Sequence, residues 1–121
     1  MNYNRVVQGN DILIKDEARE IIRIHEDADE SSMIFSLHGE LLNEVAYELE
    51  DEMIAGLSVR NSLKVDMNEL TYIGSFGLRS LLKVQHIIDD REKGELIFLN
   101  ANSQIKDIFI QNGFLELFDF R

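Results

Sequence analysis

Polar and apolar positions change period several times along the chain, and each change marks an element. Ile21 to Glu26 alternates, Ser32 to Leu37 is a second run rich in Ile34, Phe35 and Leu37, and the acidic stretch Asp27-Ala28-Asp29-Glu30 between them predicts a hairpin whose second strand ends at Gly39. From Asn43 the spacing becomes helical through Val45, Ala46, Leu49, Met53 and Leu57. Asn43 is the expected cap, Glu44 suits the positive end of the helix dipole, and Gly56 lies near the stop. Leu63, Val65 and Met67 alternate with Lys64 and Asp66 as a strand, and Tyr72-Ile73 is a second apolar pair before Gly74. Leu78, Leu81, Leu82, Gln85 and Ile88 share a helical face that ends at Arg91, Lys93 and Gly94. Leu96 to Leu99 is continuously apolar, as in a strand buried on both faces. Asn102 or Ser103 caps a third helix with Ile105, Ile108 and Phe109 inward, Asn112-Gly113 stops it, and Phe114 to Phe120 ends in a short edge strand.

The order strand, strand, helix, strand, helix, strand, helix implies right-handed crossovers and mostly parallel pairing. The expected fold is α/β, a small mixed, mostly parallel sheet of four to five strands with helices packed on it. Residues 1–20 sustain no period, and Ile12-Leu13-Ile14 reads as a short strand or a docked tail. The chain divides on this reading into an N-terminal extension or extra strand over 1–20 and one domain over 21–121. An exposed edge on the hairpin side offers a route to a homodimer.

Bulk properties narrow the function. The 121 residues suffice for one domain, and cysteine is absent. No apolar run approaches the roughly 20 residues that span a bilayer, and the start Met1-Asn2-Tyr3-Asn4-Arg5 lacks a secretory pattern, so a cytoplasmic protein without membrane insertion is expected. A net charge of −11 repels phosphate backbones, which disfavours direct nucleic-acid binding. It accommodates a protein partner with a basic face, or serves solubility alone. His25, His38 and His86 are scattered without metal-ligand spacing, so no metal is expected. Neither a nucleophile with a base and an orienting acid nor a phosphate-cradling loop with a lysine is present in the sequence, so no enzyme and no cofactor are expected. Glu48, Glu50, Asp51 and Glu52 read as a solvated helix face, and Asp66 as a hydrogen-bonding strand residue.

The densest chemistry lies in Leu70-Thr71-Tyr72-Ile73-Gly74-Ser75-Phe76-Gly77-Leu78, the end of a buried strand, a tight turn and a helix start. A serine there caps a free backbone amide, worth roughly 0.5–2 kcal/mol. It also presents a hydroxyl within reach of a kinase, and both readings stand. Gly74 supplies a positive φ or simply a tight connection. Phe76 anchors a partner or folds into the core, and Gly77 lets the loop pack closely.

This string resembles the signature loop of the STAS domain. Other strings agree: His38-Gly39-Glu40-Leu41 is similar to the family's Gly-x-Leu step, Val65-Asp66-Met67 to its third strand, and Ile105-Lys106-Asp107-Ile108-Phe109 with Asn112-Gly113-Phe114 to its last helix and turn. The likeness covers about residues 20 to 120. It implies an anti-sigma-factor antagonist that binds a serine-kinase anti-sigma factor and is switched by phosphorylation at Ser75. The implied partner-binding residues are Gly74, Ser75, Phe76, Gly77 and Arg79. The chain departs from the family pattern Asp-Ser-Ser-Gly-Leu at Gly74 and Phe76, and has Leu42 where an aspartate is usual. These departures favour an alternative, a constitutive, non-phosphorylated STAS adaptor subunit of a transporter or signalling complex. A nucleotide sensor using the same loop is a third reading, disfavoured by the acidic charge.

Overall fold

Residues 4–15, aperiodic in sequence, form a hairpin. In the computed structural model, which describes residues 2–121, β1 (Asn4–Gln8) pairs antiparallel with β2 (Asp11–Lys15) across a two-residue turn that starts at Gly9 with φ 59°. β3 (Glu20–Ala28) and β4 (Ser32–Leu41) make the expected second hairpin, whose acidic turn is held by Asp29 accepting from the amides of Ser31 (3.0 Å) and Ser32 (2.7 Å); β4 does not end at Gly39 but runs through it, at φ 117°, to Leu41, because β5 goes on pairing with it. Then follow α1 (Ala46–Gly56), β5 (Ser62–Ile73), α2 (Ser75–Arg91), β6 (Leu96–Leu99), α3 (Ser103–Gln111) and β7 (Asp119–Phe120).

All the strands join one sheet, in the order β1-β2-β3-β4-β5-β6-β7. The first three pairings are antiparallel and the last three parallel. The mixed α/β architecture is as expected. Among the described residues the sheet has seven strands, against an expected four to five, and parallel pairing is confined to one half of it. The extra strands are hidden in the sequence for physical reasons. β1 is an edge strand with mostly exposed side chains, and Leu13 of β2 is buried beside Ile12 and Ile14, which erases the alternation. The open edge of the hairpin side is therefore β1, because β2 covers β3.

β5 is one twelve-residue strand, where the sequence suggests two pieces. Register shifts against β4, between Ser36 and His38 and between Gly39 and Glu40, interrupt its two-residue period. The core lies on one face of the sheet: Ile12 and Ile14, Ile22 and Ile24, Phe35 and Leu37, Leu63, Val65 and Met67, and Leu96 and Phe98 pack against Leu49 and Met53 of α1, Leu81 and Val84 of α2, and Ile105 and Phe109 of α3. The other face is polar across its centre, with His25 Nδ1 2.6 Å from Asp11 and His38 Nε2 3.4 Å from Glu69. Asp66 accepts from the Asn68 amide (3.0 Å) and the Asn100 side chain (3.3 Å), the structural role expected of it.

Three local expectations need correction. Asn43 does not cap a helix: it adopts φ 51° in a 3-10 turn over Asn43–Val45 whose N-cap is Leu42, and α1 begins only at Ala46. At the end of α2 the left-handed residue is Glu92 (φ 55°), with Gly94 (φ 83°) two residues beyond. The acids of α1 are not a bare solvated face. Glu50 is buried and meets Lys83 of α2 at 3.1 Å, and the N-terminal hairpin reaches Glu48 and Glu52. Arg5 lies 3.0 Å from Glu52 and 3.7 Å from Glu48, and the Tyr3 hydroxyl donates to Glu48 at 3.3 Å. Glu26 of β3 adjoins this cluster. Burial, then the neighbouring Glu52, push its carboxyl up to about 7, with Arg5 pulling the other way. The Asn102 cap of α3 is as expected, its Oδ1 accepting from Ile105 N at 2.9 Å.

Candidate protein-docking site

β4 and β5 run parallel to a common end, where Leu41 pairs with Ile73. Gly74 N donates to Leu41 O at 3.0 Å, and the chain then turns into α2. Gly74 is the N-cap, with φ −93° and ψ −177°, and its carbonyl accepts the first intrahelical bond from Leu78 N at 3.0 Å. Ser75 is thus the first helical residue and caps nothing, contrary to the expected role. Nor does Gly74 need a positive φ. A Cβ on it would lie 3.5 Å from the Tyr72 ring, an ordinary contact. Gly77 does have a packing reason. A Cβ there would stand 2.8 Å from Ile73 Cγ1 and 3.0 Å from Leu41 Cδ2, so α2 seats directly on the strand ends only because the side chain is missing.

The start of α2 has no side-chain cap and no acid in its first turn. Its leading amides have no partner within the helix and carry the positive end of the dipole. The exposed Ser75 side chain sits at that end. Beside it is an aromatic surface. Phe76 is half-buried, between the two readings open from sequence, and meets Tyr47 of α1 edge-on with centroids 5.7 Å apart. The Arg79 guanidinium lies 5.0 Å over the Phe76 ring. Tyr47 and Tyr72 are 44% and 43% exposed, so both rings are available for contact.

Of the expected binding residues, Ser75, Phe76 and Arg79 share one accessible surface, Gly74 lies at its edge, and Gly77 is buried beneath it. Tyr47 and Tyr72 were missed. Both carry a sequence signal, a large aromatic just outside the periodic apolar stripe of its element. Among the described residues no cluster of His, Cys, Asp and Glu is placed to hold a metal ion, and no helix is long and apolar enough to cross a membrane.

The STAS domain family model matches residues 21–121. No curated protein matches the chain in sequence. Several solved structures share the fold. An anti-sigma factor antagonist from Mycobacterium paratuberculosis is 19% identical, with 82% of this chain and 84% of that one covered and a TM-score of 0.71. The phosphorylated form of the Bacillus cell fate determinant SpoIIAA is 13% identical, with 81% and 90% covered and a TM-score of 0.64. A sulfate transporter family protein from Wolinella succinogenes is 16% identical, with 78% and 80% covered and a TM-score of 0.61. At these identities the likeness is one of fold. β1 and β2 lie outside the matched range, and the loop carrying Ser75 lies within it. With the matched region extending from β3 to the last residue and the strand-turn-helix at Ser75 in place, the chain belongs to the STAS domain family.

Proposed function

We propose that this domain is a regulatory protein-binding module of the anti-sigma-factor antagonist type. Its partner is a serine-kinase anti-sigma factor, docked over the start of α2, and phosphorylation of Ser75 breaks the association. The observation that carries this reading is the uncapped helix start, with the exposed Ser75 beside Phe76, Arg79, Tyr47 and Tyr72. Aromatic and arginine side chains of this kind dominate binding energy at protein interfaces. Because Ser75 caps nothing, its hydroxyl is not committed to the fold, and a structural cap does not account for a serine here.

Transfer of the terminal phosphoryl of ATP to Ser75 Oγ adds about 1.5 to 2 negative charges. The free amides of the helix start tolerate that charge, and Arg79, one turn on, is within the spacing of a helical ion pair. A partner packed over the same surface then has to desolvate the phosphate, so the switch acts on association with little change of fold. Capture from the native cell with wild-type and Ser75→Glu baits tests the proposal. The expected result is an ATPase of the kinase class held by wild type and lost with Ser75→Glu. Equal retention of one partner by both baits would refute the switch and leave a constitutive adaptor.

A further inference from the structure

At the end of the sheet opposite Ser75, three loops meet: the β3–β4 turn at Glu30 and Ser31, the α1–β5 connection from Leu57 to Ser62, and the α2–β6 connection at Arg91, Lys93 and Gly94. They border an open concavity of about 650 Å³. The loops are fixed to one another. Ser62 N donates to Ser31 O at 3.2 Å, Glu95 N to Ser62 Oγ at 2.9 Å, and Leu63 N to Glu95 O at 2.9 Å. The Gly94 backbone lies against the Asn61 carbonyl so closely that a Cβ would collide with it.

On a chain of net charge −11, this concavity is lined by three cations, Arg60, Arg91 and Lys93, and one carboxylate, Glu30. Among the described residues none of the three cations is in an ion pair. Asp29, beside Arg60, does not neutralise it: its carboxylate is held by Lys64 at 2.7 Å, and only its main-chain oxygen accepts from Arg60 Nε, at 3.0 Å. Arg60 Nη1 is turned to Val59 O at 3.2 Å, which orients the guanidinium. Arg60 and Arg91 are half-buried. A guanidinium partly withdrawn from water without a counter-charge is a cost that an anion recovers.

We propose that this concavity binds a small, soluble, phosphate-bearing anion. Guanidinium groups match phosphate oxygens in bidentate fashion, and the volume is that of a small-molecule site. An acidic macromolecule is the weaker fit, because the rest of the surface repels it. The seventeen residues of α2, about 25 Å of helix, separate the site from Ser75, so a phosphate on Ser75 does not occupy it. The site stands whether or not the docking reading at Ser75 holds.

Titration of the isotope-labelled full chain with inorganic pyrophosphate, and separately with metal-free ATP, followed by amide NMR, tests the assignment. Saturable shifts are expected at residues 30–31, 57–62 and 91–95. The Arg91→Gln/Lys93→Gln double variant is expected to weaken binding by about tenfold or more. The Lys15→Gln/Lys106→Gln double variant, which removes two charges outside the concavity, serves as the control for net charge. Arg60→Gln is read only alongside its circular dichroism, since it also removes hydrogen bonds to Asp29 and Val59. Unchanged affinity in the double variant overturns the site, as do non-saturating shifts scattered over the surface, or saturable shifts centred on the start of α2.

Discussion

Replacing Glu26 by glutamine should make the protein more stable above neutral pH and leave it nearly unchanged at pH 5. Glu26 is packed beside α1, with Glu52 its strongest charged neighbour and Arg5 opposing. Arg5 is itself divided between Glu52 and Glu48, and Glu48 also accepts from the Tyr3 hydroxyl. In the folded chain Glu26 keeps its proton up to about 7, against 4.5 for a free carboxyl. Between those values the folded state binds more protons than the unfolded one, so stability falls as pH rises through that window. The displacement corresponds to at most about 3 kcal/mol. Glu26 Oε1 is buried without a partner among the described residues, but the residue as a whole is only half-buried and partly screened by water, so ~1–2 kcal/mol is expected in practice. Glutamine keeps the shape and offers Glu52 an amide donor at every pH. Urea unfolding of both proteins at pH 5 and pH 8, followed by circular dichroism, measures the difference. With a slope of about 1–3 kcal/mol per molar urea, the variant's midpoint at pH 8 should exceed that of wild type by roughly 0.5–1 M. Parallel pH dependences in the two proteins would show that the carboxyl pair is not coupled and refute the reasoning.

Ser75→Ala should unfold within about 0.5 kcal/mol of wild type, since no cap is lost, whereas a true cap would cost up to about 2 kcal/mol. Ser75→Glu should raise stability by about 0.3–1 kcal/mol through the helix dipole, an effect that thermal scans can follow and that added salt should erode. Gly39→Ala should cost about 2–4 kcal/mol, because Gly39 has φ 117° and a Cβ would run into the Ile21 carbonyl of β3; equilibrium unfolding measures it. Ser80→Ala should stabilise by about 0.5–1.5 kcal/mol in the same assay, since Ser80 Oγ is buried in α2 without a partner among the described residues.

The helices were legible because each presents one apolar stripe to one core. Leu49 and Met53, Leu81 and Ile88, and Ile105 and Phe109 stand at helical spacing and are all buried. β6 was legible because both of its faces are covered, leaving Leu96, Ile97 and Phe98 buried in succession. What failed was whatever depends on a neighbour distant in sequence. The bulges of β5 exist only against β4, and β1, though joined to β2 by a short turn, meets its distant neighbour α1 only through contacts such as Arg5 to Glu52. The cap at α2 failed for a subtler reason. A serine next to a glycine at a helix start fits either order of cap and first residue. Where β5 stops decides between them, through the Gly74 bond to Leu41. The loop as a chemical site was legible from Ser75 and its neighbours, but Tyr47 joins it only through the contact of α1 with Phe76.

In this sheet the spatial order of strands is also their order along the chain. Every new strand therefore pairs with the one made just before it, and none has to insert between two already paired. Loop closures stay short, bridged by a turn in the antiparallel half and by one helix in the parallel half, a pattern associated with faster folding than sheets of shuffled order. Growth can proceed outward from the β3–β4 hairpin in both directions, each step burying part of the same face. The hairpin β1–β2 and the two-residue β7 lie at the two ends of that sequence of additions, so either can fray while the centre, which holds α2 and Ser75, stays paired.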